Sequence, residues 1–285
     1  LAANVITEVE GIVNGTTNYM ITRMDEDGMS YEDALKEAQE KGFAEADPTA
    51  DVDGLDAAAK IAILASIAFN SRVTMDQVFT EGIRRISPVD LAMAHEMGYT
   101  VKLLAHAYRT DAGIDVRVHP TMIPESHQLA MVNGVFNAIY TVGDAAGENM
   151  FFGEGAGAGP AASAVMGDVL EVARHLQMGI KPIVGCTCTD ELPILSVEDL
   201  HTKYYIRFVV ADRSGVLASA ADIFAKYDVS VKTVTQRGNA ARDDVDLVFV
   251  THTAEERNVR KAIDDILALE GVVTGGFPSV IRVQD

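Results

Sequence analysis

Apolar positions recur at helical spacing in four stretches of the chain. Residues 30–41 carry Leu35 and Ala38 on one side; Ser30 is placed to cap, Glu32 and Asp33 suit the positive end, and Gly42 stops the helix. Residues 53–69 give the strongest predicted helix, with Asp53 as N-cap and Asp56 three residues on. A shorter helix is predicted over 91–98. A long one is predicted over 161–178, after Pro160 and before Gly179. Between them, alternating or β-branched runs predict strands at 100–108, 114–120, 135–142 and 149–152, with hairpin turns at 111–113 and 142–144. Helices and strands are interspersed, so this part reads as α+β, or mixed α/β.

The pattern changes over residues 186–203, which contain Pro193 and a polar tail from Ser196 to Lys203. Beyond it the order is strand 204–211, helix 216–227, strand 229–237, strand 244–251, helix 254–269, strand 272–283. That order, βαββαβ, is ferredoxin-like. The domain expectation is therefore a body over 1–190, a linker over 191–203 and a small module over 204–285.

Composition narrows the function. The chain has 285 residues and a formal net charge of −19. So acidic a surface repels phosphate backbones and argues against a nucleic-acid partner. No apolar run is long enough to span a membrane, and the first residues do not read as a signal peptide. The chain has no initiator Met and is expected to start within a longer protein. Cys186 and Cys188, one residue apart, would share a face of a strand. They complete neither a disulfide framework nor a zinc site, and reduced thiols in the cytoplasm are expected. His95, His106, His119 and His127 are scattered, without ligand spacing, so no metal site is expected.

One segment carries chemistry. Five carboxylates lie between Glu45 and Asp56 and are followed by Lys60. Asp56 and Lys60 stand at i and i+4 on the predicted helix and share a side. An exposed ion pair is the plain reading. The helix around Lys60, Ala57-Ala58-Ala59-Lys60-Ile61-Ala62-Ile63-Leu64-Ala65, is apolar on nearly every face and instead predicts a buried helix. A buried lysine has a tunable pKa and can exchange a proton, while Glu45, Asp47 and Asp51 could hold a cationic group. The run Gly155-Ala156-Gly157-Ala158-Gly159 precedes a long helix. It lacks the βαβ surroundings of a dinucleotide fingerprint, and on its own it reads as a close-packing loop.

The segment 42–60 resembles the signature of homoserine dehydrogenases. So do Glu8-Val9-Glu10-Gly11-Ile12-Val13-Asn14-Gly15-Thr16-Thr17-Asn18 upstream, and 133–138 and 153–165 downstream. The resemblance covers about residues 1–190. It implies NADPH- or NADH-dependent interconversion of L-aspartate 4-semialdehyde and L-homoserine, in threonine and methionine biosynthesis. It implies Lys60 as the acid–base residue with Asp56 beside it, and Glu45, Asp51, Gly15 and Thr16 at the substrate. Gly42, Gly155, Gly157 and Gly159 would approach the cofactor, which the family binds mainly through an N-terminal nucleotide-binding domain expected to be missing here. The family's monovalent cation lies near a loop that would precede residue 1. Without the nucleotide-binding domain the chain is expected to be inactive, and Val165, Val169, Leu170, Val172 and Leu176 are expected to lie bare. Phe43 and Ala161 depart from the family's common Tyr and Thr.

Residues 204–283 resemble an ACT domain through Val210-Ala211-Asp212-Arg213-Ser214-Gly215-Val216-Leu217-Ala218, with Ser214 where Pro is usual. The resemblance implies an amino-acid effector, L-threonine, at Asp212, Gly215, Val216 and Gln236, and a homodimer or homotetramer. The plainer alternative is that the module only dimerises, through its open sheet edge. A non-catalytic amino-acid-binding regulator on the same scaffold is the alternative for the whole chain.

Overall fold

The computed structural model describes residues 1, 3–181, 188–238 and 244–284. The chain runs β1 (Ile6–Ile12), α1 (Gly15–Glu26), α2 (Tyr31–Glu40), α3 (Thr49–Val52), α4 (Leu55–Phe69), β2 (Phe79–Thr80), α5 (Pro88–Glu96), β3 (Tyr99–Thr110) and β4 (Gly113–Pro124). It continues through β5 (Phe136–Gly143), β6 (Gly147–Glu154), α6 (Ala158–Met178), β7 (His201–Ala211), α7 (Val216–Lys226), β8 (Val231–Gly238), β9 (Asp244–Thr251), β10 (Ala254–Glu255), α8 (Glu256–Leu267) and β11 (Ser279–Val283).

The two halves share one sheet, ordered β6-β5-β1-β3-β4-β11-β7-β9-β8. The seam is the parallel pairing of β4 with β11, which sets Arg282 opposite Thr121 and Val283 opposite Met122. Alternation along β7 builds both cores. Tyr204, Ile206, Phe208 and Val210 pack with Phe224 and Ile266 of the module's helices, while Tyr205 joins Val101 and Ile281 in the core of the first half. Ionic contacts reinforce the seam. Asp90, fully buried at the start of α5, accepts from Arg207 Nε at 2.7 Å and from the Tyr205 hydroxyl at 2.9 Å. Arg282 donates to Glu256 at 2.6 and 2.9 Å and to Glu81 at 2.7 Å.

The predicted linker needs correction at its end. β7 begins at His201, and Asp190 and Ile194 already bridge to Ser71 and Ile114 of the first half. Helix α4 also differs from expectation. Asp53 is not its N-cap: Gly54, at φ 81°, holds that place, and the Asp53 carboxylate pairs with Arg84. Nor is α4 buried all round. Ala57, Ala58, Ile61, Ala62, Ala65 and Phe69 face the core, while Lys60, Ile63 and Ile67 face outward, Ile63 at 61% exposure. An all-apolar stretch has no polar stripe to mark which face is open.

Strand β1 and helix α1 carry the first part of the site, and the periodicity did not single them out. Both bury polar side chains. Asn18 in α1 donates to the carbonyls of Val132, Gly134 and Phe136. Glu10 in β1 is fully buried against His106, Tyr108 and Gln284. Burial works to raise the Glu10 carboxyl, and the bonds from these partners outweigh it, holding it down at about 2. Helix α6 buries no residue, and Val165, Val169, Leu170, Val172 and Leu176 are all exposed. Cys188 is half-buried, its Sγ 3.8 Å from the Ser66 carbonyl oxygen; the expectation for Cys186 lies outside the described residues.

Candidate active site

The site is built where β1 hands over to α1. Asn14 is the N-cap of α1, and its Oδ1 accepts from the Thr17 amide at 2.9 Å. The same side chain turns its Nδ2 to two carboxylates, Asp51 Oδ1 at 2.7 Å and Asp56 Oδ2 at 2.9 Å. Asp56 Oδ2 also accepts from Lys60 Nζ at 2.7 Å. Lys60 Nζ donates again to the Val13 carbonyl at 2.8 Å, and Asn137 Nδ2 reaches that carbonyl from β5 at 3.2 Å. Asp51, Asp56 and Lys60, read from one segment, therefore meet through Asn14 and the backbone of Val13.

The burial expected of Lys60 is not what the structure shows. Its side chain is 45% exposed and that of Asp56 33%. The helix is buried, but on its opposite face. Glu45 is exposed, and its carboxylate makes no bond among the described residues, so it does not share a pocket with Lys60 here. Its backbone is held, since Gln39 Nε2 donates to the Glu45 carbonyl at 3.0 Å. Thr16 is buried and spends its hydroxyl on the Phe43 carbonyl at 2.6 Å, which docks the 42–45 loop onto α1. Gly15 opens α1 where a side chain would not fit: a Cβ there would lie 2.7 Å from the Val135 carbonyl oxygen.

The four glycines expected near a cofactor differ in kind. Gly42, at φ 75°, follows α2 and has open space around it. Gly155 is needed by Asn137, because a Cβ there would fall 2.0 Å from Asn137 Nδ2. Gly157 and Gly159 are exposed; Gly157 caps α6 with no side-chain bond, and nothing lies within 4 Å of a Cβ at Gly159. An uncapped helix start with open glycines fits an anionic group such as a dinucleotide phosphate.

Asn14 and Asn137 are the site residues that sequence reasoning missed. Asn14 had a signal: an Asx residue just before a Gly-Thr-Thr start is an N-cap pattern. Asn137 had none, because its role depends on β5 lying beside β1. In the small module, Gln236 Nε2 donates to Asp212 Oδ1 at 3.2 Å, so the first loop and the second strand meet. Gly215 takes φ 93° at the start of α7, and Val216 is buried behind it. Among the described residues, no three His, Cys, Asp or Glu side chains converge on a metal-sized gap, and no helix is long and apolar enough to cross a membrane.

Fold and cluster define a two-part protein, an α+β body presenting a lysine held between carboxylate and carbonyl, with a βαββαβ module sewn to its sheet. Residues 1–170 match the homoserine dehydrogenase family and residues 204–271 the ACT domain. The chain belongs to the homoserine dehydrogenase family. It is 45% identical to the homoserine dehydrogenase of Mycobacterium tuberculosis, over all of this chain and 66% of that protein. It is 45% identical to that of Corynebacterium glutamicum, over all of this chain and 64% of that protein. Among solved structures, a homoserine dehydrogenase from Thiobacillus denitrificans matches at 40% identity and TM-score 0.89, covering 100% of this chain and 65% of that one. The chain thus spans slightly less than two thirds of the length of these relatives.

Proposed function

We propose that this chain supplies the substrate-binding and acid–base part of an enzyme that interconverts L-aspartate 4-semialdehyde and L-homoserine. The observation that carries this is the setting of Lys60. An ammonium has three N–H donors, and two of these are spent on Asp56 and the Val13 carbonyl. The third is left for a ligand, on a side chain that remains partly open. Lys60 Nζ therefore holds a proton ready for the oxygen of a carbonyl being reduced, and Asp56 and Val13 keep that proton aimed. After the transfer, solvent access lets Nζ regain a proton. Asp51 keeps one carboxylate oxygen unbonded among the described residues and, with Glu45 on the docked loop, is assigned to the substrate ammonium. Asn14 holds Asp51 and Asp56 side by side.

A nicotinamide cofactor, NADP or NAD, supplies the reducing hydride when bound. Gly157 and Gly159 at the start of α6, with Gly42 and Gly155 nearer the cluster, are the residues of this chain assigned to it. A homoserine dehydrogenase mutant from a hyperthermophilic archaeon, 26% identical over 65% of this chain with TM-score 0.53, is described in complex with NADPH. Among the described residues no βαβ dinucleotide unit is present, so productive turnover is assigned to this chain joined to a nucleotide-binding domain. The ACT module is assigned L-threonine as effector at Asp212, Gly215, Val216 and Gln236. Homodimers or homotetramers, working in the thiol-reducing cytoplasm, complete the proposal.

The test is NADPH oxidation with L-aspartate 4-semialdehyde, by the chain alone and by the chain joined to the nucleotide-binding domain of a relative. Activity is expected in the joined protein and not in the chain alone. A joined protein that binds NADPH yet leaves the semialdehyde unreduced would overturn the assignment. Binding of L-homoserine should weaken about 10-fold or more in Asp51→Asn, consistent with loss of a charged anchor.

A further inference from the structure

A cavity of about 510 Å³ lies away from Lys60, between α8 of the small module and the 80–86 segment of the first half. Its charged residues sort into two groups. Arg84 is paired with Asp53, and Arg260 with Glu81 and Glu256. Arg85 and Asp264 line the same cavity, and among the described residues neither side chain has an ion-pair partner. Arg85 rests its guanidinium 4.7 Å from the centroid of the exposed Phe277 ring, which leaves its N–H fork free. Ile263, Leu267 and Val280 add apolar lining.

We propose that this cavity is a binding site for an α-amino acid with an apolar side chain larger than that of threonine. Arg85 takes the α-carboxylate, Asp264 the α-ammonium, and Ile263, Leu267 and Val280 the side chain. A plain carboxylic acid would leave Asp264 unanswered, and a plain amine would leave Arg85 unanswered. A zwitterion satisfies both. The guanidinium fork matches a carboxylate bidentately. The wall is mixed: Ile263, Leu267 and Val280 form its apolar part, beside charged residues most of which are already paired with one another. The site lies on other elements than Asp212 and Gln236.

The cavity wall also bears on the lysine cluster. A Cβ at Gly82 would fall 1.9 Å from the Val52 carbonyl oxygen, so the two backbones are in contact there. The Ile83 amide donates to that carbonyl at 2.8 Å, and Arg84 holds Asp53. Val52, the last residue of α3, and Asp53, its C-cap, lie between Asp51 and Asp56. An occupant that moves the 80–86 segment moves the stretch that spaces those carboxylates. This second step rests on the function proposed for Lys60; the binding itself does not.

The experiment is calorimetric titration of L-leucine and L-methionine into the 285-residue chain, with Arg85→Gln, Asp264→Asn and Gln236→Ala as variants. Arg85 and Asp264 are exposed, so melting curves of their variants should match the parent and exclude misfolding. Binding is expected in the parent and in Gln236→Ala, and about 10-fold weaker or more in the other two, from loss of a charge-assisted contact. Amide exchange at Ile83 should slow in the complex. Absence of binding by both amino acids, undiminished binding by Arg85→Gln, or loss of binding in Gln236→Ala would each overturn the proposal. The titration reads binding and not turnover, so its failure is distinct from failure of the proposed reaction.

Discussion

Asn14 caps α1 through its oxygen and holds two carboxylates through its nitrogen. Exchange for aspartate separates these tasks. Asn14→Asp keeps a capping oxygen, so loss of the cap, worth about 1 kcal/mol, is avoided. It also sets a third carboxylate against Asp51 and Asp56, and like charges at that distance repel. The melting temperature should therefore fall even though the cap is kept, and semialdehyde reduction by the joined protein should fall sharply with it; parallel melting and rate measurements check this. Glu8 gives a prediction in pH. Burial first, then the charges of Glu10 and Glu148, raise its carboxyl from 4.5 to about 7. A raised carboxyl binds its proton more tightly in the fold, so its stabilisation is complete below pH 4.5 and is lost as pH rises through about 7. Glu8→Gln should match the parent near pH 4 and exceed it at pH 8 by about 1 kcal/mol, a figure reduced for solvent screening of a half-open group. Chemical denaturation at the two pH values measures it. Asp51, Asp56 and Lys60 were legible because they lie in one short acidic segment. The exposure of Lys60 was not, since an all-apolar helix has no polar face to point outward.

At the scale of elements, the spacing of apolar residues located α2, α4, α5, α6 and most strands, and missed β1 and α1. Those two bury Glu10, Asn18, Thr17 and Thr22, so the alternation of polar and apolar no longer tracks inside and outside. Thr17 bonds locally to Asn14, but Asn18 and Thr22 bond to residues 132–136 and Glu10 to His106 and Tyr108, about a hundred positions away, a relation that no local window contains. The same geometry makes Gly155 a sensitive position. Gly155→Ala would drive a methyl group into the Asn137 side chain and break its bond to the Val13 carbonyl. Relief requires the start of β5 or the 155–157 turn to shift, at a cost of about 1–3 kcal/mol. Thermal melting should register that loss, and L-homoserine binding should weaken with it. An unchanged melting temperature would show that the turn moves freely.

Over the whole molecule, the βαββαβ module extends the sheet of the body and is not held as a separate bead. The sequence order predicted the module well. The seam was invisible, because it depends on β11 returning to pair with β4. At that seam Arg282 is buried at 2% exposure between Glu81 and Glu256. Arg282→Met leaves Glu256 buried without its main counter-charge, and removing one partner of a buried pair costs about 3–5 kcal/mol. Denaturation should show that loss. It should also separate the one cooperative transition expected of the parent into two, as the module comes away from the body.

The central claim is that Lys60 Nζ delivers the proton that completes reduction of the semialdehyde. The direct measurement is steady-state turnover of Lys60→Ala in the joined protein, with and without added ethylammonium. The expected result is a kcat lower by about 10²–10⁴ with KM little changed, partly restored by the free ammonium. A kcat within about two-fold of the parent's, too small a change for loss of a general acid, would contradict the account.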